Sequence, residues 1–398
     1  MRDEGSRPAG LTEPPGIAAA RFHRGRIATG AILFLLFTVG VYWYQYRLVG
    51  AGEEIPRIDR IRWGYLVPIL LLVPMETLLA GVRMRMICRV LQPEVSLRTC
   101  LKAELTNAGM AILTPSQTGG GVAQMYMLNR GGARMGTALT ISLLSFFGTM
   151  AALAGMGVFT LLVSGPGKIG ALFTGAVFSL TLIATLVLLS VSWPGIFRRM
   201  VSGVSRMYWR ARGRKYPLEG WPPEGGPGAQ PLQDRMGPLA LRLVEILYRY
   251  RDDLRTFLRR GKAVFLLACL LSAAFFLSRF FIALFCVRLL GVDTSSAGEI
   301  LVLQMALLFL TYFGPTPGSS GIAEGASFSI MSGVLPVGYL PVYNLLWRGF
   351  SVYIAAFTGM TILAGAVYRD TRTKMWRRSR RPEGDRPVSR PSGSGSPG

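Results

Sequence analysis

The sequence predicts an all-α integral membrane protein with about six full spans, two re-entrant or broken-helix hairpins and an internal inverted repeat. Three observations carry this. Hydrophobic residues make up 51% of the chain and charged residues only 16%, against about 25% charged in soluble domains. Runs near 20 residues long recur without charge, which buried helices of soluble proteins seldom show. Two Pro/Gly-rich elements of similar sequence interrupt otherwise apolar segments.

The elements follow in chain order. Residues 1–26 form a basic N-terminal tail. The first membrane block, 27–192, holds apolar runs at 27–46, 63–82, 135–163 and 169–192; the second is broken only by Glu76. The first run lies behind a polar tail and is too long for the core of a cleaved signal, so it reads as a retained span. Residues 193–262 form a hydrophilic basic insert whose Pro/Gly-rich centre is a loop. Beyond it, Leu243, Ile246, Leu247, Tyr250, Leu254 and Phe257 recur at helical spacing with Arg242, Arg249, Arg255 and Arg259 on other faces. This is an amphipathic helix, lying either on the inner leaflet or against the protein's own cytoplasmic loops. The second membrane block, 263–368, holds runs at 263–287 and 342–367, and a disordered basic tail is expected over 369–398.

Lys and Arg set the orientation. The two tails, the insert and the loops after the second span carry 36 of the 44, and the opposite loops carry five. Both termini and the insert are therefore expected in the cytoplasm, of a cell inner membrane. An even number of crossings then leaves 97–129 and 300–335 as segments that begin and end on one side, the two hairpins. The net charge of +23 is the positive-inside pattern. No nucleic-acid motif accompanies it, and anionic headgroups of the inner leaflet are its natural counter-charge.

Both hairpins carry Thr-Pro followed by glycine: Thr114-Pro115 with Gly119, Gly120 and Gly121, and Thr316-Pro317 with Gly318 and Gly321. Both continue to an apolar-Ala-Gln/Glu element ending at Gln124 and Glu324, although these two features align with different offsets. The charge count makes them enter from opposite faces, the pattern of an inverted repeat around a binding site. Broken backbone at membrane depth must be covered by protein or reached by water. The freed N–H groups of each second half-helix suit a phosphate, and tight turning between short helices is the plainer use of the same residues.

Charge at membrane depth marks functional candidates. Glu324 follows the second Pro/Gly element, and Arg348 on the final span is its candidate partner. The pair either fixes the hairpin or contacts substrate, and one pair can do both. Secondary candidates are Glu76, Arg279, Asn129 and Arg130. Arg279 reads first as a helix lock or snorkelling side chain and Arg130 as a topology anchor, while Gln124 and Asn129 either hydrogen-bond a headgroup or cap the broken helix. Lys102 and Glu104 form a local polar edge. Four cysteines without metal-ligand spacing and a single histidine leave no expected metal, cofactor or catalytic triad, and the absence of a Walker motif leaves no ATPase.

The strings TPSQTGGGVAQMYML from Thr114 and PTPGSSGIAEG from Pro315, with Arg348 in the final helix, resemble the signature elements of the flippase-like family built on the transmembrane domain of lysylphosphatidylglycerol synthases. The resemblance covers roughly residues 27–368. It implies a multi-span protein that moves or handles a lipid with a polar headgroup, phospholipid or glycolipid. In the best-understood relatives, aminoacyl transfer sits in a separate soluble C-terminal domain. This sequence ends about 30 residues after its last span, so lysyl transfer is not expected of it. The resemblance implies a substrate site at Thr114, Pro115, Gly119, Gly120, Gly121, Gln124, Thr316, Pro317, Gly318, Gly321, Glu324 and Arg348. Three functions follow: a lipid translocase, an intramembrane enzyme on a lipid-linked substrate, or a membrane partner of a separate lipid-modifying synthase.

Overall fold

The computed structural model describes residues 24–49, 56–164, 203, 238–292, 297–312 and 314–379. Eleven α-helices are labelled here in chain order: α1 (Arg24–Leu48), α2 (Leu66–Leu91), α3 (Leu97–Ala111), α4 (Thr118–Arg130), α5 (Met135–Ser164), α6 (Pro238–Arg260), α7 (Lys262–Leu289), α8 (Ala297–Tyr312), α9 (Ile322–Met331), α10 (Leu340–Arg348) and α11 (Ile354–Ser379). There is no strand among the described residues.

Five stretches are long and apolar enough to cross a membrane: Thr29–Leu48, Trp63–Leu91, Met135–Phe159, Lys262–Leu289 and Val337–Thr373. They match five of the six expected crossings, and the run at 169–192 lies outside the described residues, as does most of the insert. Large apolar side chains such as Leu36, Val39, Leu71, Leu270 and Phe357 stay exposed on these helices. On a membrane protein that is the surface that meets lipid tails.

Two boundaries are corrected. The second span does not stop at 82. Its helix runs on through Arg83 and Arg85 to Leu91, and Arg83 is 7% exposed, not part of an inner loop. An arginine can continue an apolar helix inward when polar groups on neighbouring helices receive it. The tail expected to be disordered from 369 is helical as far as Ser379. Tyr126 and Arg130 of α4 hold Asp370 there, which extends the last helix beyond its apolar run.

The order helix, hairpin, helix occurs twice. The first set is α2, then α3 and α4, then α5; the second is α7, then α8 and α9, then α10 and α11. The helices that open the sets pack against each other. The Arg62 backbone N–H, just before α2, donates to the Leu289 carbonyl, the Arg279 side chain pairs with Glu76, and the Arg83 side chain bonds Ser272. As α2 advances, its partners on α7 move backwards, so the two helices are antiparallel. The two sets therefore start in opposite directions, as an inverted repeat requires. Each hairpin has its own core: α3 and α4 pack with α2, α5 and α11, and α8 and α9 with α2, α7 and α10.

Close backbone approach fixes α3 on α11. A Cβ on Gly109 would sit 2.7 Å from the Met360 nitrogen, and one on Gly359 would run into the Leu105 carbonyl. Small residues at such a crossing let membrane helices touch along their backbones. The amphipathic helix falls at α6, as its periodicity predicts. Val244, Tyr250, Leu254 and Phe257 are buried, and the helix packs on α5, where Gly136 makes room for Arg249. That is packing against the protein itself, with Arg242, Arg255, Arg259 and Arg260 left exposed.

Candidate functional site

The two Thr-Pro tips meet. Pro115 and Pro317 form an isolated antiparallel bridge, and Gln117 Nε2 lies 3.5 Å from Ser319 Oγ, its equivalent 202 positions on. Equivalent residues touching each other mark a local two-fold axis through the tips. The backbone repeats as well. Ser116 and Gln117 have φ of 49° and 57°, and Gly318 and Ser319 have φ of 58° and 55°. Three of these four are not glycine, so both tips hold residues in a region that L side chains seldom adopt. The Thr-Pro register is thus the equivalent one, and the second alignment seen in the sequence is not. The threonines hold the turns shut: Thr114 Oγ accepts from the Gly119 N–H at 2.9 Å, and Thr316 Oγ donates to the Ser320 carbonyl at 2.8 Å.

Glu324 is fully buried at the third position of α9. One carboxylate oxygen accepts from the Gly321 N–H at 2.7 Å and the other from Arg348 Nε at 3.0 Å. Tyr353 adds a longer bond at 3.4 Å. Arg348 Nη2 also donates to the Gly318 carbonyl at 2.9 Å and its guanidinium stacks near the rings of Trp347 and Tyr353. The pair clamps the whole turn from Gly318 to Glu324. From α1, Gln45 donates to the Glu324 carbonyl at 2.9 Å, closing the turn from outside.

Below the tips lies a cavity of about 660 Å³, walled by α2, α3, α4, α5, α7, α8 and both tips. Of the residues expected at the site, Gly121, Gln124, Gly318 and Arg348 reach it, and so do the secondary candidates Glu76 and Arg279. Thr114, Pro115, Gly119, Gly120, Thr316, Pro317, Gly321 and Glu324 shape its rim without lining it. Gly120 must be small because Asn107 fills the space a Cβ would take, whereas Gly121 opens onto empty space. Asn129 and Arg130 stand apart from the cavity. Asn129 donates to the Ala133 carbonyl at 2.8 Å, and Arg130 pairs with Asp370 at 3.0 Å.

Two further ion pairs line the cavity. Arg279 Nη2 is 3.3 Å from Glu76 and also donates to the Ser351 carbonyl at 2.8 Å. Ser351 lies in a π-helical turn, Gly349–Tyr353, between α10 and α11. Such wide turns loosen carbonyls from the helical ladder and recur at functional sites. Arg83 meets Glu104 at 3.0 Å, Thr149 at 2.7 Å and Ser272 at 3.0 Å. The sequence reading missed Arg83, Glu104 and Thr149. A signal for Arg83 existed: it follows Glu76 by seven residues, two turns along one face of α2. Glu104 reads from the sequence only as part of a local polar edge with Lys102, which it does not face; its partner comes from α2.

No curated protein and no solved structure matches the chain. Residues 28–359 match the model of the lysylphosphatidylglycerol synthase TM region. The match spans both hairpins, their ion pairs and the cavity between them, and the chain belongs to that family.

Proposed function

We propose that this chain is a lipid translocase, which carries a phospholipid or glycolipid headgroup through the cavity while the acyl tails stay in the bilayer. The observation that supports this best is a polar cavity of about 660 Å³ inside an apolar helix bundle, lined by both broken hairpins, by the Glu76–Arg279 and Arg83–Glu104 pairs and by Arg348. Its volume is that of a small-molecule site, about 300–1,000 Å³, which suits a headgroup and not a whole lipid. Broken hairpins from opposite faces are the parts that alternating access reuses. Movement is passive or ion-coupled, since the sequence carries no Walker motif.

The membrane is a cell inner membrane, with both termini and the basic insert cytoplasmic. The exposed arginines of α6 then face anionic headgroups of the inner leaflet. Thr256→Cys should be shielded from an impermeant thiol reagent in intact cells and Asp59→Cys labelled; the reverse pattern would invert the orientation.

The function is tested by reconstituting the purified chain into liposomes with headgroup-labelled phosphatidylglycerol in one leaflet. Faster equilibration than in protein-free liposomes, with every lipid mass unchanged, is the expected result. A new lipid mass would replace the translocase by an intramembrane enzyme. No movement and no product, with co-purification of a lipid-modifying synthase, would make the chain a partner subunit.

A further inference from the structure

The three ion pairs around the cavity are not equally satisfied. Glu324 uses both oxygens within the protein, and Arg348 is held by Glu324 and the Gly318 carbonyl. The pair of Glu76 and Arg279 is looser. Its contact is 3.3 Å, and both Glu76 Oε1 and Arg279 Nε are buried without a hydrogen-bond partner. Arg83 Nε, Ser142 Oγ and Ser145 Oγ are in the same state. All five residues line this one cavity. Buried polar groups are nearly always paired, and a buried charge left partly unpaired is costly. A concentration of such atoms around one cavity is what a site looks like when its ligand makes the missing bonds.

The kinds of atom define the ligand. Two guanidinium N–H groups can only donate, the two hydroxyls can donate, and the Glu76 oxygen can only accept while ionised. Glu76 and Arg83 are seven residues apart on α2, about 10 Å along the helix, and Arg279, paired with Glu76, brings a second donor to the acceptor's end. Ser142 and Ser145 stand one turn apart on α5. We propose that Glu76, Arg83, Arg279, Ser142 and Ser145 form the headgroup subsite, which takes a phosphate flanked by a hydrogen-bond donor, a hydroxyl or an ammonium. The phosphate bonds Arg83 Nε, Arg279 Nε and the serine hydroxyls. The donor bonds Glu76 Oε1. Glu324 and Arg348 then hold the tip and leave recognition to the other pair. The assignment rests on the translocase reading for its source of phosphate, a lipid rather than a free ester.

Binding of three probes to the full chain in detergent tests this. Dioctanoyl phosphatidylglycerol carries phosphate and hydroxyl donors, dioctanoyl phosphatidylmethanol carries phosphate alone, and sn-glycerol 3-phosphate is the free ester. Glu76→Gln keeps the side chain's shape, and its melting temperature reports how far it stays folded. It should weaken phosphatidylglycerol about ten-fold or more and leave phosphatidylmethanol unchanged. Arg279→Gln, and Ser142→Ala with Ser145→Ala as a milder variant in case it does not fold, should weaken both lipids. Unchanged binding of both lipids to a folded Glu76→Gln and to the serine variant would overturn the subsite. If those variants bind and move phosphatidylglycerol as the parent does, the subsite falls and the translocase reading stands. If glycerol phosphate binds in a Glu76- and Arg279-dependent way and neither lipid binds, the subsite stands and the lipid reading falls.

Discussion

Glu324 is a residue whose surroundings decide its role. It sits where a carboxylate has no water, with each oxygen bonded inside the protein. Removing one member of a buried pair costs about 3–5 kcal/mol, because the other charge is left uncompensated. Glu324→Gln is therefore expected to lower stability by that order. Arg348→Met in the same chain should restore part of the loss. A double-mutant cycle on thermal unfolding in detergent measures the coupling; additive losses would mean that the two side chains do not act as a pair. The sequence pointed to this residue because an acid in an apolar segment stands out. It could not separate clamp from contact, since that depends on where the cavity wall passes. Arg83 shows the opposite case: near the end of a charge-free run it looked like a loop residue, and only the meeting of α2, α3, α5 and α7 buries it.

At the scale of elements, periodicity and charge-free length were enough for five spans and for α6, and Thr-Pro with clustered glycine was enough for both hairpins. These are local signals: each depends on composition within one stretch. Pairings between stretches were not legible. Nothing near Gly359 announces that the Leu105 carbonyl lies against it, since the two belong to helices far apart in sequence. That contact makes a sharp prediction. Gly359→Val should cost about 1–3 kcal/mol through overpacking, more if the helices cannot separate, and reduce the folded fraction on size exclusion. Gly155→Val serves as the comparison, because a Cβ there meets nothing within 4 Å. Equal yields of the two variants would show that the crossing is not tight.

For the whole molecule, the two hairpin tips are joined by one backbone rung, between Pro115 and Pro317. Neither proline has an N–H to give, so the rung cannot be a strong reciprocal pair. Directly opposed residues lie about 4.5–5.5 Å apart at Cα, within disulfide range. Pro115→Cys with Pro317→Cys should cross-link under mild oxidation, seen by mass after proteolysis. If the tips part during transport, reduction should restore lipid movement that oxidation stops. The last span, Val337–Thr373, serves both halves, with Arg348 of α10 gripping the second tip and Gly359 of α11 resting on α3. Between them stands the wide turn Gly349–Tyr353. It behaves as a spacer that stores one residue of slack while keeping the two ends in phase. Deleting Val352 removes the slack and the loosened Ser351 carbonyl that Arg279 uses, so folding should survive while lipid movement falls. Deleting Thr358, outside the spacer, rotates Gly359 by about 100° relative to Arg348, and no folded protein is expected. The same loss of one residue, six positions apart, would then read out as lost transport in one case and a lost fold in the other.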